Sequence, residues 1–135
     1  MNPISHTKSA FQLLLLVCLL SACSSSSGSD EIRTITAATL LSQPINQRGL
    51  IIDVRTAEEY SAGHVPGAIN IPHTSISQQL GQLDIYKNKT VVIYCKSGRR
   101  AGIAGEILAG AGFKQLYHLE GDMDGWRSAD HPVEK

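Results

Sequence analysis

From position 31 onward, short runs of β-branched and aliphatic residues alternate with stretches whose apolar positions recur at helical spacing. Arg33-Thr34-Ile35 opens the pattern as a short strand, and Thr36 is placed to cap a helix running through Leu40 and Leu41. Leu50-Ile51-Ile52-Asp53-Val54 is almost unbroken in branched apolar side chains, as in a strand buried on both faces. Thr56 stands three residues before Glu59, a capping-box spacing that predicts a short helix over 57–62, ended by Gly63. His64-Val65-Pro66-Gly67 reads as a turn leading into a strand, Ala68-Ile69-Asn70-Ile71. Segment 76–83 is moderately helical, and Thr90-Val91-Val92-Ile93-Tyr94 is a second strand of the fully buried kind, running directly into Cys95. A helix follows over 101–111, with Ile103, Ile107 and Leu108 expected on its inward face and Gly112 placed to end it. Gln115-Leu116-Tyr117-His118-Leu119 is the last strand, and 122–129 the last helix. Strand and helix alternate without an internal repeat, so the expected fold class is α/β, a parallel five-stranded sheet with helices on both faces.

The beginning of the chain follows another pattern. A polar start carrying Lys8 precedes the apolar run Phe11-Gln12-Leu13-Leu14-Leu15-Leu16-Val17-Cys18-Leu19-Leu20. That run is shorter than the roughly 20 residues a bilayer-spanning helix needs, and it has the order of a signal peptide. Leu20-Ser21-Ala22-Cys23 resembles the bacterial lipobox, whose cysteine receives a diacylglyceryl group and becomes the new N-terminus. An ordinary signal peptide with a cysteine after the cut is the plainer alternative. The serine-rich stretch 24–30 is too small and polar to pack and reads as a tether. The expected organisation is therefore a leader over 1–22, a lipidated Cys23 with tether to 31, and one domain over 32–135. Localisation follows as the cell envelope, with a membrane partner through the lipid. Asp is absent just after Cys23, which by resemblance to enterobacterial lipoproteins favours the periplasmic face of the outer membrane in a Gram-negative host.

Cysteine usage sharpens the chemistry. Of three cysteines, Cys18 leaves with the leader and Cys23 carries lipid, so the mature domain keeps one thiol, Cys95. Oxidising compartments normally use cysteines in pairs, and a leftover one suggests intermolecular pairing or a reactive thiol. A buried cysteine acting as a small hydrophobe is the bland alternative. Net charge is zero, with the charges scattered, which gives no argument for a nucleic-acid partner. The domain is expected to be a monomer.

Cys95 stands where ligands bind in open α/β sheets, beyond the carboxyl end of a strand and before a helix. The sequence there is Cys95-Lys96-Ser97-Gly98-Arg99-Arg100. Gly98 allows a positive φ cheaply, so the loop can curl until several N–H groups converge on one anion. Helix N-termini and nearby cations lower cysteine pKa values from about 8.5 to roughly 3.5–7.5. Lys96, Arg99 and Arg100 would meet an anionic substrate. A solvated basic helix start is the alternative, but helix N-termini favour carboxylates over cations.

These residues make the chain resemble a single-domain rhodanese over about 32–130. The resemblance rests on three stretches: Asp53-Val54-Arg55; Gly63-His64-Val65-Pro66-Gly67-Ala68-Ile69-Asn70-Ile71-Pro72; and the six-residue loop 95–100. Glu120-Gly121 and Gly125-Trp126 lie near where that family usually has two glycines and a tryptophan, with Asp122 in place of the second glycine. The resemblance implies a rhodanese-like fold and a sulfurtransferase. Cys95 would be the catalytic nucleophile, with Lys96, Ser97, Gly98, Arg99 and Arg100 binding an anionic donor such as thiosulfate. Cyanide or a thiol would be the acceptor, and no metal or organic cofactor is implied.

Arg55 has two readings: an anion contact, or a local partner of Glu58 or Glu59 while Asp53 fixes loops; the structural one is favoured. His64 belongs to the expected turn rather than to Cys95 as a base, and His73, His118 and His131 lack metal-ligand spacing. Trp126 reads as a core anchor. Three rivals use the same fold. A phosphatase or arsenate reductase needs a longer loop with arginine six positions after the cysteine, where this chain has Ala101. A binding or redox-sensing module would not need the intact cysteine and cationic loop. A persulfide carrier would use the same residues and differ only in its acceptor.

Overall fold

The computed structural model describes residues 31–135. The expected leader, Cys23 and nearly all of the tether lie outside the described residues. Five strands form one parallel sheet in the order β1-β5-β4-β2-β3: β1 (Arg33–Ile35), β2 (Leu50–Asp53), β3 (Ile69–Asn70), β4 (Thr90–Tyr94) and β5 (Gln115–Leu119). Five helices connect them: α1 (Ala37–Ser42), α2 (Ala57–Ser61), α3 (Ile76–Leu83), α4 (Arg99–Gly110) and α5 (Asp122–Ser128). The expected fold is the one observed, and local signals account for much of it. Thr36 caps α1 by accepting the Thr39 N–H, and Thr56 with Glu59 closes the capping box at α2.

The sheet separates two cores. Leu50, Ile52, Val91, Ile93 and Leu116 face α3 and α4, while Ile51, Val92, Tyr94 and Leu119 face α1 and α5. Successive residues of β2 and β4 thus go to opposite sides, and both sides are covered. Trp126 is buried in the second core, and its indole N–H donates to the Pro132 carbonyl at 2.8 Å, as an anchor should.

Two expectations need correction. The third strand shrinks to Ile69–Asn70, an edge pairing held by the Asn70 amide, which donates to the Asp53 and Arg55 carbonyls. On α4 the inward face is Ala101, Ala104, Gly105 and Leu108, whereas Ile103 is exposed. The cause is close approach: a Cβ at Gly105 would lie 2.5 Å from Ile32 Cδ1 and 3.0 Å from Ile93 Cδ1. Where α4 passes Ile32 and Ile93 only a glycine fits, so Gly105 faces the sheet there, with Leu108 buried further along and Ile103 turned outward. Among the described residues no helix is long and apolar enough to cross a membrane.

Candidate active site

β4 is buried along Val91–Tyr94 and delivers Cys95, itself 1% exposed, to the carboxyl edge of the sheet. Gly98 takes φ +110°, a left-handed conformation open to glycine, and forms the N-cap of α4. This curl aims the Gly98 N–H at Cys95 Sγ from 3.0 Å. The following N–H groups, of Arg99, Arg100 and Ala101, belong to the first turn of α4, where helix geometry provides no internal acceptor. The sulfur therefore sits at a helix N-terminus, where partial positive charge accumulates.

The loop is fastened from α5. The Met123 N–H donates to the Cys95 carbonyl and the Asp124 N–H to the Lys96 carbonyl, each at 3.0 Å. Asp122 closes the third link: its Oδ1 accepts the Cys95 N–H at 2.8 Å. Asp122 is buried and takes φ +53°, and its two carboxylate oxygens lie 3.0 and 3.1 Å from His118 Nε2. Sequence reasoning left His118 without a role and saw in Asp122 only a departure from the usual glycine. The signal it passed over was the pair itself, a histidine four residues before an aspartate at a turn that glycine usually occupies.

Arg100 is part of the loop through a second clamp. Its guanidinium makes a two-pronged pair with Glu59, Nη1 to Oε2 at 2.6 Å and Nη2 to Oε1 at 2.9 Å. Glu59 is also the capping-box residue of α2, so one carboxylate ties the start of α2 to the start of α4. The Arg100 hydrogen bonds hold the Glu59 carboxyl at about 2, against the opposing effect of burial. Arg100 is raised in turn, first by Glu59, against burial, with smaller contributions from the Cys95 sulfur, which lies in its vicinity.

Arg55 differs from the expectation that it binds substrate or pairs with Glu58 or Glu59. It is buried, its Nε and Nη2 grip both oxygens of Asp53 at 2.6–3.1 Å, and Nη2 also donates to the Gly63 carbonyl. Burial opposes the Arg55 charge, but Asp53 more than offsets it and the pKa is raised. Tyr94 completes the knot by donating to Asp53 Oδ2 at 2.8 Å while accepting the Val65 N–H at 3.0 Å. Burial, then the Asp53 charge, raises the Tyr94 phenol well above its usual range. This knot supports the loops beside Cys95 and leaves Arg55 turned inward.

Lys96, Ser97 and Arg99 are exposed at the loop, and Lys96 and Arg99 form no ion pair among the described residues. Their charge is thus available to an arriving anion. His64 stacks on Tyr60 with ring centroids 3.7 Å apart and places Nδ1 3.0 Å from the Tyr60 carbonyl, so it serves the turn. Among the described residues no group of three or more His, Cys, Asp or Glu side chains is placed to hold a metal. A cavity of about 520 Å³ opens beside β1 and α1, lined by residues including Thr34, Thr36, Gln43, Thr90 and Tyr117, and none of its lining residues belongs to the cysteine loop.

The arrangement is a buried cysteine sulfur at a helix N-terminus that can stabilise an anion, with the unpaired cations Lys96 and Arg99 at its edge. The chain is similar to known proteins. The chain is 37% identical over 90 residues to thiosulfate sulfurtransferase PspE of Escherichia coli, covering 67% of this chain and 86% of that protein. It is also 37% identical over 110 residues to the HTH-type transcriptional regulator Rv0324 of Mycobacterium tuberculosis, covering 80% of this chain but only 47% of the regulator. Among solved structures, a rhodanese-related protein from Thermoplasma volcanium superposes with a TM-score of 0.66 at 28% identity, covering 76% of this chain and 97% of that one. The family description "Rhodanese-like domain" matches residues 37–129, which spans both the Asp53–Arg55–Tyr94 knot and the cysteine loop. On that match, over more than half its length, the chain belongs to the rhodanese-like domain family.

Proposed function

We propose that this domain is a thiosulfate sulfurtransferase that carries sulfur as a persulfide on Cys95. The observation behind this reading is the Gly98 N–H, 3.0 Å from Cys95 Sγ at the start of α4, beside the unpaired charges of Lys96 and Arg99. The Cys95 thiolate attacks the outer sulfur of thiosulfate. The bond between the two donor sulfurs breaks, and sulfite leaves with its electron pair. The terminal sulfur of the new persulfide keeps a negative charge, which the N–H groups of the first turn of α4 accept. Cyanide then attacks that sulfur, thiocyanate departs, and the thiolate is restored. Charge and electrons balance without an outside oxidant or reductant, and one difficult displacement becomes two easier ones. The name of the Escherichia coli relative, thiosulfate sulfurtransferase PspE, supports thiosulfate as donor.

Thiosulfate treatment followed by intact-mass measurement tests the reading: the domain gains one sulfur atom, and cyanide removes it. If protein with a free Cys95 thiol gains no sulfur from any donor, the domain is a binding module instead. Lys96→Ala refines the picture. Loss of one exposed charge is expected to raise KM for thiosulfate about two- to fivefold, the scale of an exposed ionic contact. Alkylation of Cys95 by neutral iodoacetamide should be nearly unchanged. Equal KM values in the two proteins would remove Lys96 from the donor site.

We also read Cys23 as a lipid-attachment site that holds the domain at the cell envelope, on the periplasmic face of the outer membrane in a Gram-negative host. Leu20-Ser21-Ala22-Cys23 after an apolar run supports this. Cys23→Ala should move the protein from the membrane fraction to the soluble fraction with its sulfur transfer intact. Retention in washed membranes would count against the anchor.

A further inference from the structure

The Cys95 loop rests on a buried carboxylate, which is an unexpected support for a site that takes up anions. Asp122 is 4% exposed and lies within one residue's reach of the nucleophile, because its Oδ1 accepts the N–H of Cys95 itself. Left alone, that negative charge would repel an anionic donor and disfavour the thiolate. It also sits at φ +53°, a conformation that most L-residues resist and that Asp and Asn tolerate best. His118 meets both oxygens of this carboxylate. The pair touches the loop at a second point: a Cβ at Gly98 would lie 3.3 Å from Asp122 Oδ2 and 3.5 Å from His118 Cε1. Gly98 is the residue whose N–H holds the sulfur.

We propose that Asp122 and His118 are a positioning pair for the cysteine loop. Asp122 holds the Cys95 amide, and protonated His118 cancels its charge, so anionic donors are taken up best while His118 carries its proton. The choice of an anionic sulfur donor rests on the sulfurtransferase reading; the pair itself does not.

The surrounding charges are few. His118 pairs in register with Thr34 on β1 and Ile93 on β4, neither of which is charged. The loop and first turn of α4 bring Cys95, Lys96, Arg99 and Arg100, the last of them committed to Glu59. Glu120 and Asp124 stand two residues to either side of Asp122 and are exposed. The hydrogen bond to Asp122 raises His118 above its usual value, with burial opposing. Below that raised value the pair is neutral as a unit. As pH rises through it, His118 loses its proton, and one uncompensated negative charge remains behind the loop.

The test compares wild type with Asp122→Asn, Asp122→Ala and His118→Gln across pH. In wild type, KM for thiosulfate should climb about three- to tenfold on the alkaline side, the scale of one charge several ångström away across a partly wet loop, with kcat moving less. Asp122→Asn keeps an oxygen for the Cys95 N–H and tolerates the positive φ, so it should retain activity but lose the alkaline rise. Asp122→Ala removes the acceptor as well, and asparagine but not alanine should sustain kcat. His118→Gln leaves the carboxylate uncompensated at every pH, so its KM should be high and flat. Two readouts need no sulfur donor: the His118 ring resonances in NMR titration, and the pH profile of iodoacetamide alkylation of Cys95. His118 should titrate lower in Asp122→Asn than in wild type, and His118→Gln should slow alkylation. Unchanged His118 titration in Asp122→Asn, or superimposable alkylation profiles in all four proteins, overturns the pair. If these two behave as expected while no donor loads Cys95, the pair stands and the sulfurtransferase reading falls.

Discussion

Cys95→Ser is expected to leave the domain folded and to lower sulfur transfer by roughly 10³-fold or more, the scale on which enzymes lose rate when the nucleophile goes. The two halves of that expectation come from the same geometry. Sγ is buried and accepts a hydrogen bond from the Gly98 N–H. A serine oxygen fills nearly the same space and accepts the same N–H, so the melting temperature should shift by little. The chemistry does not survive the exchange. A helix N-terminus can favour a thiolate at neutral pH because a free thiol ionises near 8.5, whereas an alcohol stays protonated there and attacks sulfur poorly. Intact mass after thiosulfate, taken with a thermal melt, checks both halves. A serine variant that still passes sulfur from thiosulfate to cyanide would place the nucleophile elsewhere.

Arg55→Leu should be the most destabilising of the changes considered, by about 3–5 kcal/mol, because breaking a buried ion pair leaves a buried charge uncompensated. Asp53 is fully buried, and Arg55 supplies three of its hydrogen bonds from the guanidinium. After the change the carboxylate keeps the Tyr94 hydroxyl and the backbone N–H of residue 55, which do not offset a full charge. In a domain of this size the midpoint should fall by about 15–30 °C. The double variant Asp53→Asn with Arg55→Leu should recover part of the loss, since no charge is then left alone. Urea unfolding gives the comparison directly. A single variant that loses less than about 1 kcal/mol would mean that water reaches Asp53, contrary to its burial. Because the knot also receives the Gly63 carbonyl and, through Tyr94, the Val65 N–H, its loss should loosen the 63–67 turn before it alters Cys95 chemistry.

The site and the fold were legible in the sequence to different depths. Strand β4 ending at Cys95, the capping box of Thr56 and Glu59, and the glycine that starts α4 are all written in neighbouring residues. Their physics is short-range: an apolar run fits a buried strand, a side-chain oxygen reaches an N–H three residues on, and glycine takes φ +110° where other residues resist. The candidate thiol was legible too, since Cys95 is the one cysteine among the described residues.

Partner choice among the charged residues was decided only by tertiary structure. Glu59 could have met Arg55, four residues before it, but pairs with Arg100, 41 residues away, while Arg55 turns to Asp53. Asp122 reaches the amide of Cys95 across 27 residues and takes His118 with it. These pairings depend on which loops the strand order β1-β5-β4-β2-β3 brings together at the carboxyl edge, and local spacing carries no record of that order. The inward face of α4 was hidden for a related reason. Periodicity favoured Ile103, but the helix lies so near Ile32 and Ile93 that no Cβ fits at Gly105, and the face it turns to the sheet is Ala101, Ala104, Gly105 and Leu108. A sequence states which residues prefer to be buried, and the distance between packed elements determines which of them can be.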